Sequence, residues 1–141
     1  MADPRNTVKL EGIREERTTY LIDNSTITFS ATAVRGSAQV DKAVTLSADK
    51  TVALAGDGEF VLGKLLGVES DGKAIVADEG YVTLPAGTGA SVTLGKRIVG
   101  ALLSSAKGYV REVATATAAE LGVARGFIAE NDTTTALVIK L

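Results

Sequence analysis

The fold class this sequence predicts is all-β: a compact β-barrel or β-sandwich-like domain with one short helix at about 115–121 and an extended N-terminal arm. Three observations predict it. From Ile27 to Leu141 the chain runs through stretches of four to ten residues rich in Val, Ile and Thr. Glycine or an acidic turn separates most of them. Several alternate apolar with polar residues, as Ser91-Val92-Thr93-Leu94 does.

Taken in order, residues 1–24 mix charges of both signs, and no helix or strand face emerges before the short run Tyr20-Leu21-Ile22. They are expected to form an arm distinct from a single β-rich domain over 25–141, one that orders on a partner. The runs TITFSATAV, AVTLS, TVALA, EFVLGKLLGV, KAIVA, YVTLP, SVTL, KRIVGAL and GYVREV then read as strands. Turn signals stand between them at Asp49-Lys50, Gly56-Asp57-Gly58, Ser70-Asp71-Gly72, Glu79-Gly80, Pro85-Ala86-Gly87 and Lys107-Gly108. Asp71-Gly72 is the strongest hairpin signal, because both positions tolerate positive φ. Ala114 to Gly122 is rich in helix formers, with Thr115 or Thr117 as N-cap, Glu120 closing a capping box and Gly122 as C-cap. Val123–Ala129 and the apolar end ALVIKL close the chain as strands.

Composition excludes much chemistry. A chain of 141 residues with 45% hydrophobic and 23% charged residues can bury one core without disulfides. A net charge of −2 without a basic run argues against general affinity for nucleic acid or an anionic membrane. No apolar run approaches the roughly 18 residues of a membrane span, and the first residues are too polar for a secretory signal, so synthesis in a cytoplasm is expected. With no Cys and no His, thiolate nucleophiles, imidazole bases and the usual zinc and haem ligands are absent together.

The remaining motifs each favour a plain structural role. Gly58 to Lys64, GEFVLGK, is one residue short of the phosphate-binding pattern G-x-x-x-x-G-K-S/T: Leu65 stands where a magnesium-binding hydroxyl is needed. Its interior reads as strand, with Gly63 and Gly67 marking a bulge or a close backbone approach. S-x-x-K occurs at Ser47–Lys50, Ser70–Lys73 and Ser104–Lys107, all in expected turns where the lysine is solvated. The acidic groups at Asp71, Asp78-Glu79 and Glu130-Asn131-Asp132 lack the spacing of a calcium loop. Lys96-Arg97, adjacent on an expected strand, would face opposite sides. No catalytic residue, metal or cofactor is expected.

The order FVLGKLLGV, KAIVADEGYVTLPAG, KRIVGAL, GYVREV, a short alanine-rich helix and RGFIAENDTTTALVIKL, over residues 60–141, resembles the small β-barrel decoration, or cement, proteins of tailed-phage capsids. The resemblance lies in the rhythm of strands and turns. It implies a non-enzymatic protein of the virion surface that binds the major capsid protein of the expanded head. It further implies assembly as a homotrimer at three-fold positions, with the N-terminal arm reaching the shell and neither nucleic acid nor membrane as partner. In such an arm Leu10, Ile13, Tyr20, Leu21 and Ile22 would supply apolar contacts, while Arg5, Arg14 and Arg17 would pair with capsid carboxylates. The rivals are a tail-tube or connector subunit, a carbohydrate- or peptide-binding β module, and a carboxylate or Ser/Lys enzyme. A sugar platform is poorly supplied by three Tyr, three Phe and no Trp.

Overall fold

Residues 10, 12–88, 93–113, 118–133 and 136–141 are described in a computed structural model of the chain. They are all-β apart from one short helix. Strands β1 (Glu16–Ile22), β2 (Ala43–Ala48), β3 (Thr51–Leu54), β4 (Gly63–Val68) and β5 (Lys73–Glu79) close a barrel in the order β1-β3-β2-β4-β5. β5 returns to β1 in antiparallel register, Tyr20 opposite Ala74 and Thr18 opposite Val76. β1 and β3 form the parallel pair. Beyond the barrel, β6 (Tyr81–Pro85), β10 (Ala136–Lys140) and β9 (Phe127–Thr133) make a sheet in the order β6-β10-β9, and β7 (Ile98–Leu103) with β8 (Ala106–Glu112) makes a ribbon. Helix α1 spans Ala118–Val123.

Five strands enclose a narrow interior, which explains the aliphatic, low-aromatic composition. Ile22, Val44, Val52, Leu65, Val68, Ala74 and Val76 fill it, with Ile27 and Leu62 entering from loops. A second cluster joins one barrel wall to the outer sheet and ribbon: Ala43, Ala55 and Ala77 meet Val82, Leu84, Ile98, Val110, Ile128 and Ile139. Each fully buried Val, Leu or Ile contributes roughly 1.5–3 kcal/mol of burial free energy. β6 shows the period-2 alternation that such a half-buried strand requires, with Val82 and Leu84 inward.

Several expectations hold. The Asp71-Gly72 turn joins the antiparallel pair β4–β5, although Gly72 alone takes positive φ (82°) while Asp71 accepts from the Lys73 N–H. Gly63 and Gly67 are sites of close approach. A Cβ on Gly63 would collide with the Ala77 carbonyl, and the register slips by one residue between Leu65 and Gly67, a β-bulge. β9 carries two further slips, opposite Ala136/Leu137 and Val138/Ile139, and on its other side the Ile128 backbone bonds to Gly95 and Lys96.

Others are corrected. The arm does not run to residue 24, because residues 16–22 are barrel strand β1. Their polar outer face hid an inner face of only Tyr20 and Ile22. Residues 58–62 are a loop, not a strand, and strand pairing starts at Gly63. Val61 and Leu62 are nevertheless buried, and that apolar demand produced the strand-like appearance. Gly108 lies inside β8, where Lys42 packs close to it, and the turn falls at Ser104-Ser105. Lys96 and Arg97 precede β7 in a loop. Helix α1 continues past Gly122 to Val123, so Gly122 is not its C-cap; the expected N-caps Thr115 and Thr117 lie outside the described residues.

Candidate functional site

The start of the described chain is fastened to the outer sheet. Gly12 donates its N–H to Tyr81 O at 2.9 Å, and Tyr81 returns one to Ile13 O at 3.0 Å, so this segment pairs with the beginning of β6. Arg14 takes the left-handed conformation (φ 54°), and its carbonyl sits where only a glycine, Gly80, leaves room. The chain then enters β1, whose alternation sorts the expected arm residues by face. Tyr20 and Ile22 turn into the barrel, and the Tyr20 hydroxyl donates to Asp78 Oδ2 at 3.1 Å. Burial, then this bond to a carboxylate, raises the Tyr20 pKa. Arg17 and Leu21 turn outward; Leu21 is 49% exposed and Arg17 pairs with Glu15 at 3.2 Å. Of the eight residues expected to touch a capsid, Ile13, Arg14, Arg17 and Leu21 are exposed, Leu10 and Tyr20 are half-buried, Ile22 is core, and Arg5 lies outside the described residues.

Two larger grooves open on the barrel. One, about 750 Å³, opens at the barrel mouth among Asp23, Thr26, Leu46, Leu54, Phe60 and α1. The second, about 510 Å³, lies on the outer barrel wall between Arg17 and Arg35 over Leu66, Gly67 and Ile75. Arg35 belongs to the 3₁₀ turn Val34–Gly36, is itself left-handed (φ 56°), and binds Asp41 at 2.7 Å. The sequence reading missed this arginine, as well as Arg111 and Arg125. Arg111 ties β8 to Asp57 and to Glu120 of α1; Arg125 donates to backbone carbonyls of residues 61, 62 and 78. A lone arginine inside an apolar stretch was the available signal.

Asp23 organises the barrel mouth. Its carboxylate accepts from the N–H groups of Thr26 and Ile27 and from the hydroxyls of Ser25 and Thr26, and Thr26 Oγ1 in turn accepts from the Leu54 N–H at 2.9 Å. Burial pushes its pKa up, but these donors outweigh it and hold the carboxyl at about 2 against an ordinary 3.8. A depressed carboxylate stabilises the fold above its unfolded pKa and loses that contribution as pH falls through the folded one. Asp23→Asn is therefore expected to cost on the order of 1–2 kcal/mol at pH 7, after allowing for solvent screening, and to flatten the stability change between pH 4 and 2. Urea titrations of both proteins across that range would measure it; parallel pH curves would contradict the assignment.

The other motifs take structural positions among the described residues. In the phosphate-like stretch, Gly58 N–H is bonded to Gly100 O and Leu62 N–H to Val44 O, so these amides cannot cradle an anion. The three S-x-x-K pairs sit at exposed hairpin turns. Asp71 pairs with Lys73 at 3.2 Å. Glu16 stands opposite Glu79 across β1–β5, and a hydrogen bond to that carboxyl, then like-charge repulsion, raises its pKa. Among the described residues no group of three His, Cys, Asp or Glu is placed to hold a metal ion. No helix there is long and apolar enough to cross a membrane. Comparison with protein-family models, curated proteins and solved structures finds no match.

Proposed function

We propose that this protein is a capsid decoration protein that binds the outer surface of an expanded tailed-phage head and ties neighbouring major capsid protein subunits together. The observation that carries the reading is the anchored start of the chain. Gly12 and Ile13 are bonded to Tyr81 at the start of β6, and Ile13, Arg14, Arg17 and Leu21 are exposed along the segment that follows. The strand and turn rhythm that resembles cement proteins also coincides with real hairpins at β4–β5 and β7–β8. Such a protein works by many weak contacts multiplied by symmetry. Three arms on one homotrimer can exceed the affinity of one arm by about 10²–10⁴-fold when geometry permits. In this reading the protein is made in the host cytoplasm, ends in the virion and performs no catalysis.

Because β1 belongs to the barrel, the test removes residues 2–9 alone. The truncated protein is expected to melt as the full chain does but to lose at least about tenfold in affinity for expanded shells, measured by co-sedimentation. Undiminished binding would remove the arm from the account. A second reading, a ligand-binding β module, is favoured by the barrel-mouth groove, whose volume of about 750 Å³ lies within the usual range for ligand sites. Its aromatic lining is Phe60 alone.

A further inference from the structure

Two acids meet where β1 begins and β5 ends. The β1–β5 register sets Glu16 directly opposite Glu79, and it slips between Glu16 and Arg17, so the ladder is irregular at this pair. Like charges directly opposite each other on neighbouring strands are destabilising. The two carboxyl groups lie within hydrogen-bonding reach of one another all the same. An ionised carboxylate only accepts, so this bond exists only while one of the two keeps its proton.

The surroundings leave the pair short of positive charge. A pocket of about 380 Å³ beside it is lined by Arg14, Glu15, Glu16, Glu79 and Lys140, three carboxylates against two cations. Glu15 is turned to Arg17 at 3.2 Å, and the Lys140 ammonium donates to Leu141 O at 2.9 Å and stands 5.8 Å from the centre of the Tyr81 ring. Asp78 of β5, which accepts from the Tyr20 hydroxyl, adds a further negative charge. The bond to Glu79, then repulsion from it, then burial and Asp78 raise the Glu16 pKa above its ordinary 4.5. The pair also adjoins the clamp at the start of the described chain. Glu79 immediately precedes Gly80, where a Cβ would collide with Arg14 O and Glu15 N, and the next residue, Tyr81, bonds to Gly12 and Ile13. No slack separates the two acids from that clamp.

We infer that Glu16 and Glu79 form a proton-operated clasp: one shared proton fastens the start of β1 to the end of β5, and its loss sets two carboxylates against each other and loosens the bonds of Gly12 and Ile13 to Tyr81. The clasp is independent of what the protein binds. The folded chain holds this proton at pH values where the unfolded chain has lost it. Its stabilisation is therefore present below the unfolded value and is lost as pH rises through the raised one, opposite in sign to that of Asp23 and in a higher window.

The test follows the full-length protein, labelled with ¹³C and ¹⁵N, by NMR from about pH 4 to about pH 7.5, beside Glu16→Gln, Glu79→Gln and, as a control, Glu69→Gln at the β4–β5 turn. In the wild-type protein the Glu16 and Glu79 carboxyl resonances are expected to titrate in two coupled steps, with the amides of Gly12 and Tyr81 moving in the upper one. Exchange of the Tyr81 amide, corrected for its intrinsic pH dependence, should quicken about twofold across that step. In Glu79→Gln the Glu16 carboxyl should titrate once, at or below its ordinary value, and the amide movement should vanish. Glu16→Gln should have the same effect on Glu79, and Glu69→Gln should change neither. Single-step titration of both acids in the wild-type protein would overturn the proposal. So would Gly12 and Tyr81 amides that stay still through the upper step, or that move as before in Glu79→Gln.

Discussion

Gly63→Ala is expected to cost on the order of 3–5 kcal/mol, a large share of the roughly 5–15 kcal/mol by which folded domains are stable. Gly63 opens β4, pairs with Val44 of β2, and lies so close to β5 that a Cβ would run into the Ala77 carbonyl and the Asp78 backbone. Both obstacles are main chain in the barrel wall, so relief requires β4 and β5 to separate and the packing of Leu65 against Val76 to loosen. Gly122 supplies the contrast: nothing lies within 4 Å of its would-be Cβ, and it sits inside α1. Gly122→Ala should stabilise by about 0.5–1 kcal/mol through helix propensity. Urea unfolding of both variants checks the pair, and a Gly63→Ala protein within 0.5 kcal/mol of wild type, on a scale where surface changes are about that size, would contradict the barrel register.

Arg125→Ala is expected to cost about 2–4 kcal/mol, from charged hydrogen bonds lost and carbonyls left without donors. The guanidinium enters from the bridge residue two positions before β9, donates to Leu62 O and to Asp78 O at 2.6 Å, and lies 5.8 Å from the centre of the Phe60 ring. It therefore links the 58–62 loop, the end of β5 and the outer sheet in one side chain. Arg125→Lys should recover only part of the loss, because a single ammonium lacks the planar fork that reaches two carbonyls. Thermal melts of the three proteins decide this; full rescue by lysine would show that charge alone matters there.

Local chemistry made part of this molecule legible. The β4–β5 turn follows from a glycine free to take positive φ, the β4 bulge from two glycines in an apolar run, and the all-β class from Val- and Ile-rich stretches cut by turns. What stayed hidden depends on tertiary position. β1 shows Arg17, Thr18 and Thr19 to solvent and only Tyr20 and Ile22 to the core, too short an alternation to separate from an arm. Val61 and Leu62 are core residues supplied by a loop, so burial there mimics a strand. The helix end was misplaced because the alanine-rich run gives no end signal stronger than Gly122, which the helix passes through to Val123. Arg17 and Arg35 form the rims of one groove only because β1 closes against β5 and the 3₁₀ turn folds over Gly67, a pairing no local pattern encodes.

The most direct measurement of the central claim is the number of copies bound per shell when the full-length protein is sedimented with expanded, undecorated capsids from its own source, beside unexpanded shells as control. Decoration predicts saturation at a number fixed by the three-fold positions of the expanded lattice, with the unexpanded shells left bare. A folded protein that stays in the supernatant, or that binds both shells without a fixed ratio, would contradict it.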